Sequence, residues 1–272
     1  MKKIIIATDF SPAALNATNY AADMALLINA EIVLLHVFLL RFNYSEIPIA
    51  MNSQKMWQDA ENEINEIRGN LYKKTNNKII INTQIQEGVF FHELKNLCEL
   101  IKPYTVVIGS QGKTLSDRIF WGSHALQAVK NLDWPIITVP PGAKFSSVKK
   151  IGLACDLYAL PDKVQIEEIK KLVTDFNAEL HVVNVNIEKG FNPGNNFESM
   201  KLKQLLNSIK ATYHFISAKN TDEGITEFVE QNNIDLLIML PKRHSLFERV
   251  MYTSNTKQLV LHSHSPVMAL HS

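Results

Sequence analysis

The stretch from Gly109 to Ser123, GSQGKTLSDRIFWGS, combines the residue types that phosphate-binding loops use. Its glycines follow the pattern Gly109-x2-Gly112-x9-Gly122-Ser123, between an apolar run and a helical pattern. Glycine lets the backbone approach a ligand and adopt positive φ, which we expect at Gly109 and Gly112. Gly122-Ser123 falls at a predicted helix N-terminus, where free N–H groups and the helix dipole favour an anion. The pattern predicts a phosphate-binding loop, although a flexible surface loop ending in a Gly-Ser cap has the same composition.

Two familiar phosphate loops do not fit this stretch. A Walker A loop needs a glycine five positions before the glycine of its Gly-Lys pair. That pair is Gly112-Lys113, and the required position holds Val107. A dinucleotide fingerprint would follow the first strand, where the sequence ATDFSP contains no glycine.

Apolar runs of strand length alternate with helical patterns along the chain. Ile4 to Thr8 is followed by Ser11-Pro12, an N-cap with proline at the first helical position. Helical patterns also mark Met56 to Leu71, Phe91 to Ile101 and Ser123 to Leu132, and further strands are expected between the helices. In the first half these further strands are Glu31 to Phe38, Lys78 to Gln86, Thr105 to Ile108 and Ile136 to Val139. Continuous apolar strands separated by helices indicate an α/β fold with a mostly parallel sheet covered on both faces.

The chain repeats itself. KKIIIATDFS aligns with KKIGLACDLY, so that Asp9 matches Asp156, and AEIVLLHVF aligns with AELHVVNVN. TVVIG matches LLIML, and WPIITVP matches SPVMALH, in the same order. We therefore expect two repeated domains, residues 1–142 and 143–272, each with a five-stranded sheet and separated at the Pro-Pro-Gly ending in Gly142.

With these motifs in place, the sequence resembles a universal stress protein in tandem form. The resemblance rests on the Gly-x2-Gly-x9-Gly-Ser pattern, on the strand ending in Asp9, and on the His36-Val37 pair that ends the second strand. It covers nearly the whole chain. It implies a Rossmann-like fold of the adenine nucleotide α-hydrolase type and a role as a stress-response regulator or sensor that binds ATP, AMP or ADP, with or without Mg²⁺ or Mn²⁺.

The resemblance also implies which residues form the nucleotide site. Asp9 and the Val37 backbone would hold the adenosine end, and Ile108 and Gly109 would line the ribose. Gly112, Gly122, Ser123 and His124 would surround the phosphates. Thr8, His36, Gln111 and Lys113 complete the expected set, with Gln111 standing where the family often has histidine.

The second half lacks the phosphate pattern. Leu240, Arg243 and Thr253 stand where the first half has its three glycines, and Pro241 removes a backbone donor. We therefore expect one competent site, in the first domain, with the second domain as scaffold. Because domains of this family commonly pair through their last strands, the resemblance implies an internal pseudo-dimer, open to further homodimerisation and to a protein partner that the sequence does not name.

Composition limits the remaining functions. With 28 basic and 27 acidic residues the net charge is +1, which gives no reason to expect nucleic-acid binding. The apolar runs are too short to span a bilayer, and two cysteines far apart suit buried positions in a reducing cytoplasm. We find no catalytic constellation or metal-ligand cluster with recognisable spacing. A nucleotide-independent interaction module and a slow ATPase remain the alternatives.

Overall fold

The computed structural model divides the chain into two compact units, Met1–Phe145 and Ser146–Ser272. It describes residues 1–39, 49–110, 123–157, 160–186, 197–240 and 265–271. Gly142, which closes the Pro-Pro-Gly sequence, has a left-handed backbone with φ 78°. No helix in these ranges is long and apolar enough to cross a membrane.

The first unit alternates five strands with four helices in its described part. Its elements are β1 (Lys2–Ala7), α1 (Pro12–Ile28), β2 (Ala30–Phe38), α2 (Ile49–Lys74), β3 (Ile81–Glu87), α3 (Phe90–Ile101), β4 (Thr105–Gly109), α4 (Ser123–Asn131) and β5 (Ile136–Val139). The strand order is β3-β2-β1-β4-β5, and the paired strands are parallel. Ile5 illustrates the central position of β1, since it pairs with Val33 of β2 and with Val106 of β4 and is fully buried.

The second unit repeats the arrangement. Its elements are β6 (Lys150–Ala154), α5 (Lys163–Phe176), β7 (Glu179–Asn186), α6 (Phe197–Leu205), β8 (Ala211–Ser217), α7 (Thr221–Asn232), β9 (Leu236–Met239) and β10 (Val267–Ala269). The strand order is β10-β9-β6-β7-β8, again parallel. The predicted fold class, two repeated α/β domains with parallel sheets, is confirmed.

Helix α1 begins where its sequence predicts. The Ser11 side chain accepts a hydrogen bond from the Ala14 N–H at 3.2 Å, and Pro12 occupies the first turn, where its missing N–H costs nothing. The predicted apolar face is buried against the sheet, and the helix ends at Asn29 in the left-handed conformation that asparagine tolerates. The buried positions include Ala14, Ala17, Ala21, Met24 and Ile28.

Two predicted boundaries were wrong. Helix α2 runs from Ile49 to Lys74, longer at both ends than the apolar spacing indicates, because helix-compatible residues flank the stretch with apolar spacing. Strand β3 begins at Ile81 and not at Lys78. Asn76 and Asn77 take left-handed conformations, and the Lys78 N–H donates to the Thr75 carbonyl at 3.1 Å, so a turn runs into the start of the expected strand.

Candidate functional site

The strand order of the first unit reverses between β1 and β4. From β1 the chain moves outward to β2 on one side, whereas β4 leads to β5 on the other. The segments that follow β1 and β4 therefore diverge, and parallel sheets bind ligands in the crevice that such divergence leaves at the carboxyl ends of the strands. The structure brings Thr8 and Asp9, which follow β1, next to Ile108 and Gly109, which end β4.

A short, internally bonded turn connects β1 to α1. The Thr8 N–H extends the sheet by donating to the Leu35 carbonyl at 2.9 Å. The Phe10 N–H donates to Thr8 Oγ1 at 3.1 Å, and the Ser11 N–H donates to Asp9 Oδ1 at 3.0 Å. Phe10 has φ 63°, a conformation that is strained for a bulky side chain. These bonds fix the half-buried Asp9 carboxylate at the reversal point.

His36 supports this turn from β2. Its Nδ1 lies 2.9 Å from the Thr8 carbonyl oxygen, and because a carbonyl only accepts, Nδ1 carries the hydrogen. The Phe10 ring stacks on the imidazole, with ring centroids 4.2 Å apart and planes 25° apart. The sequence analysis missed Phe10. Its position between Asp9 and the Ser11 cap, with the aromatic His36 on the neighbouring strand, could have indicated its role.

Val37 directs its backbone groups toward the site. The Ile32 N–H donates to the Ile80 carbonyl at 2.9 Å, so the even-numbered residues of β2 point their backbone groups at β3. The odd-numbered residues point at β1, as the bond from Thr8 to the Leu35 carbonyl shows. Val37 is the next odd residue and lies beyond the end of β1. Its N–H and C=O therefore face the crevice.

Gly109 is required by packing. A Cβ at this position would lie 2.9 Å from the Ala13 carbonyl oxygen and 3.0 Å from the Ala13 carbonyl carbon, both in the first turn of α1. The expected positive φ was wrong for Gly109, because the residue ends β4 in an extended conformation, paired with Val139, and does not belong to the left-handed residues. Ile108 is buried beside it.

Part of the expected phosphate site lies outside the described residues. This applies to Gln111, Gly112, Lys113 and Gly122, and to the side chains of Ser123 and His124, whose backbone opens α4. Within the described part, the residue directly after Gly109 was missed by sequence reasoning. Ser110 is 2% exposed, and its hydroxyl has no hydrogen-bond partner among the described residues.

The second unit keeps the supporting hydrogen bonds of this site. The Cys155 N–H donates to the Val183 carbonyl at 2.9 Å, as Thr8 does to Leu35. The Asn184 amide donates to the Cys155 carbonyl at 3.0 Å, in the place of the bond from His36 to Thr8. Asparagine and histidine thus perform one structural task at equivalent positions of the two sheets.

The second unit differs in the segment that leads into its first helix. In the first unit the cap Ser11 follows Asp9 closely, whereas in the second the cap is Asp162, well beyond Asp156. Gln165 completes a capping box with Asp162 and also donates to the Leu270 carbonyl at 3.3 Å. A longer connection anchored by side chains therefore replaces the tight Asp9 turn.

Two histidines, the buried His181 and the half-buried His214, form a pair in the second unit that the sequence did not reveal. His181 Nδ1 lies 3.1 Å from His214 Nε2, across β7 and β8, and the Phe228 ring of α7 contacts His214 with ring centroids 5.0 Å apart. The Glu179 carboxylate lies 3.5 Å from His181 Nε2. Burial, and secondly the proximity of His181, lower the pKa of His214.

This pair makes the stability of the second unit sensitive to acid. The folded-state pKa of His214 lies below its ordinary value of 6.5, so the unfolded state binds more protons, and stability falls as pH drops below about 6.5. A single proton sets an upper limit of about 1.4 kcal/mol per pH unit on this slope, and because His214 is only partly buried, solvent screening keeps the expected slope well below that limit. Hydrogen exchange of the β7 and β8 amides, corrected for intrinsic rates, should show this slope between pH 5 and 7.

The control is an exposed histidine, His92. His214→Gln should lose most of the slope, although the orphaned His181 nitrogen lowers stability throughout. His92→Gln should keep the slope. An undiminished slope in His214→Gln would assign the acid sensitivity to other groups.

Both cysteines lie within the described part of the chain, and their burial keeps the thiols out of solvent. Cys98 and Cys155 are both buried, as predicted, and no disulfide joins them. Burial, followed by the nearby Glu99 carboxylate, raises the pKa of the Cys98 thiol to about 12. The described residues contain no group of three or more His, Cys, Asp or Glu side chains positioned to hold a metal ion.

Comparison with known proteins places the whole arrangement in a family. The family model described as Universal stress protein family matches residues 1–140 and again 148–271. Universal stress protein MJ0531 of Methanocaldococcus jannaschii is 29% identical over 143 residues, which cover 51% of this chain and 81% of that protein.

Solved structures are similar over the full length. A universal stress protein from Archaeoglobus fulgidus has a TM-score of 0.74 at 18% identity, covering 99% of this chain and 96% of that one. A putative universal stress protein from Pseudomonas aeruginosa has a TM-score of 0.57 at 11% identity, covering 100% and 93%. At these identities the likeness concerns the fold. The two matches of the family model together span nearly the entire sequence, and the chain belongs to the Universal stress protein family.

Proposed function

We propose that the first unit binds an adenine nucleotide at the carboxyl ends of β1, β2 and β4, and that the chain acts as a nucleotide-responsive regulator of the stress response. The observation that carries this proposal is the backbone of Val37, whose N–H and C=O face the crevice beyond the end of β1. Backbone polar groups near a core require partners, and a bound ligand can supply them.

Adenine is the base whose edge matches this backbone. Its N1 accepts a hydrogen bond and its N6 amino group donates one, the complement of one peptide N–H and one C=O on the same side of a strand. Guanine presents a donor at N1 and an acceptor at O6, so the same backbone would meet two like groups. The selectivity therefore follows from main-chain atoms and is insensitive to the Val37 side chain.

Asp9 suits the sugar end of the nucleotide. One of its oxygens is engaged by the Ser11 N–H, which holds the carboxylate in place. The other, Oδ2, can accept from a ribose hydroxyl or an amino group, and hydrogen bonds to a carboxylate are among the stronger ones. Gly109 and Ile108, which end β4, lie beside this turn and would line the ribose, as the resemblance implies.

The phosphates belong at the start of α4. This helix leads from β4 to the parallel strand β5, so its N-terminus lies at the carboxyl edge of the sheet, where its dipole favours an anion. The family resemblance assigns Gly112, Gly122, Ser123 and His124 to the phosphates and adds Lys113 and Gln111 nearby. A bound Mg²⁺ or Mn²⁺ would neutralise phosphate charge.

The second unit serves as a scaffold in this proposal. Leu240 occupies the position of Gly109, and the connection from Asp156 to the Asp162 cap is long where the first unit has a tight turn. We extend the proposal to an internal pairing of the two domains, on the resemblance alone, and to an unidentified protein partner that reads the nucleotide state.

Calorimetric titration of ATP with Mg²⁺ tests the proposal. The protein is first denatured in a separate aliquot and its supernatant chromatographed, so that nucleotide already bound is counted. Wild type should bind about one ATP per chain, whether added or already bound. Gly122→Val should weaken binding at least tenfold, because a branched side chain replaces the hydrogen that the expected phosphate approach requires.

The repeat provides the matched control. Thr253 aligns with Gly122, so Thr253→Val should leave binding unchanged. Wild type that neither binds nor carries nucleotide would overturn the proposal and leave an interaction module of the same fold. Two sites per chain would contradict the scaffold role of the second unit.

A further inference from the structure

We propose that the Ser110 hydroxyl is a direct phosphate ligand of the first unit, which rests on the proposed function. Ser110 is 2% exposed, and its Oγ lacks a hydrogen-bond partner among the described residues. A buried hydroxyl without a partner costs free energy, and a native fold retains such a group where something outside the protein satisfies it. Its position in the sheet indicates what that partner is.

The side chain of Ser110 points away from α1. Ser110 extends β4 by one residue, since its N–H donates to the Val139 carbonyl at 3.0 Å. Successive side chains of a strand alternate between the faces of the sheet. The preceding residue, Gly109, directs its Cβ position at Ala13 of α1. The Ser110 hydroxyl therefore lies on the opposite face.

Helix α4 covers that opposite face. Crossovers between parallel strands are right-handed, so the face on which a helix packs depends on the direction of the step across the sheet. In the order β3-β2-β1-β4-β5, the connection from β1 to β2 runs toward the β3 edge and places α1 on one face of the sheet. The connection from β4 to β5 runs toward the opposite edge and places α4 on the opposite face. Because α4 returns antiparallel to the strands, its N-terminus at Ser123 and the Ser110 hydroxyl share one face and one edge.

Two independent features thus point to an anion at this edge. The nine-residue helix α4 offers its N-terminal N–H groups, and Ser110 offers a buried donor beside them. A phosphoryl oxygen of the nucleotide satisfies both. The second unit has Pro241 at the equivalent place, which carries no hydroxyl.

The proposal requires stability and affinity to move in opposite directions. Ser110→Ala removes an unsatisfied hydroxyl, so the nucleotide-free protein should unfold at an unchanged or higher temperature. Its ATP dissociation constant should rise about tenfold or more, the effect of losing a hydrogen bond to a charged group. Its affinity for adenosine, which has no phosphate, should stay within twofold of wild type.

Thr105 on the same strand is the matched control. Its hydroxyl is also buried, but it donates to the Pro135 carbonyl at 3.0 Å, so Thr105→Val should lower the melting temperature and leave ATP binding intact. Unchanged ATP affinity in Ser110→Ala overturns the inference. Equal losses of affinity for ATP and adenosine also overturn it, because they would show that the hydroxyl contacts the sugar. A lowered melting temperature of Ser110→Ala overturns it as well, because it would show that the hydroxyl stabilises the fold. Failure of the wild-type protein to bind ATP would reject the proposed function itself, and the wild-type titration shows this independently of the Ser110→Ala variant.

Discussion

Val37→Pro should weaken ATP binding at least tenfold and reduce the preference for ATP over GTP. Proline removes the N–H that faces the crevice and leaves the adenine acceptor without a donor, a loss of about 1–3 kcal/mol. The ladder to β3 survives, since the Val37 backbone groups point to the other side of β2. Titration calorimetry with ATP and with GTP measures both effects.

Val185 provides the control, because it stands at the same register in β7. The Glu179 N–H donates to the Lys149 carbonyl at 2.8 Å, so odd-numbered residues of β7 also face the first strand of their sheet. Val185→Pro should therefore disturb the second unit as Val37→Pro disturbs the first, and leave ATP affinity as in wild type. If both variants bind like wild type, the Val37 backbone does not read the base.

Gly109→Ala should destabilise the first unit by about 1–3 kcal/mol, the usual range for overpacking. The new Cβ would lie 2.9 Å from the Ala13 carbonyl oxygen, and since the contact is with helix backbone, a side-chain rotation cannot relieve it. Urea unfolding followed by tryptophan fluorescence reports on this unit, because Trp57, Trp121 and Trp134 all belong to it.

A second glycine calibrates this measurement. Gly69 lies within α2, and a Cβ there meets no atom within 4 Å. Gly69→Ala should raise the stability of the same unit by about 0.5–1 kcal/mol, since glycine is a poor helix former. Equal effects of the two substitutions would show that Gly109 is not held by its contact with α1.

Much of the fold could be predicted because the relevant signals are local. The buried strands are continuous apolar runs, and Ser11-Pro12 marks the start of α1 through its own capping chemistry. The repeat doubled this information, since an element identified in one half could be sought at the same offset in the other. Boundaries that depend on tertiary context, as at Lys78 and Met56, were misplaced.

The site was predictable only in part. Asp9, His36 and Val37 could be placed at strand ends, but their tasks depend on which backbone groups face which neighbour, and sequence does not state this. Gly109 had a plausible ligand-based reason, while the close approach of α1 is a separate and sufficient one. Ser110 was missed because a serine gives no sign in sequence that its hydroxyl is buried without a partner.

The shared hydrogen bond at the end of the first strand has a consequence for how the two copies diverged after duplication. In one copy an imidazole donates to the Thr8 carbonyl, and in the other an amide donates to the Cys155 carbonyl. What both copies retain is a donor, and neither basicity nor aromaticity is common to them. The geometry of the strand end therefore requires a hydrogen-bond donor at this position, and His36 is itself no sign of proton-transfer chemistry. After duplication, either copy can exchange histidine for asparagine here and keep its fold.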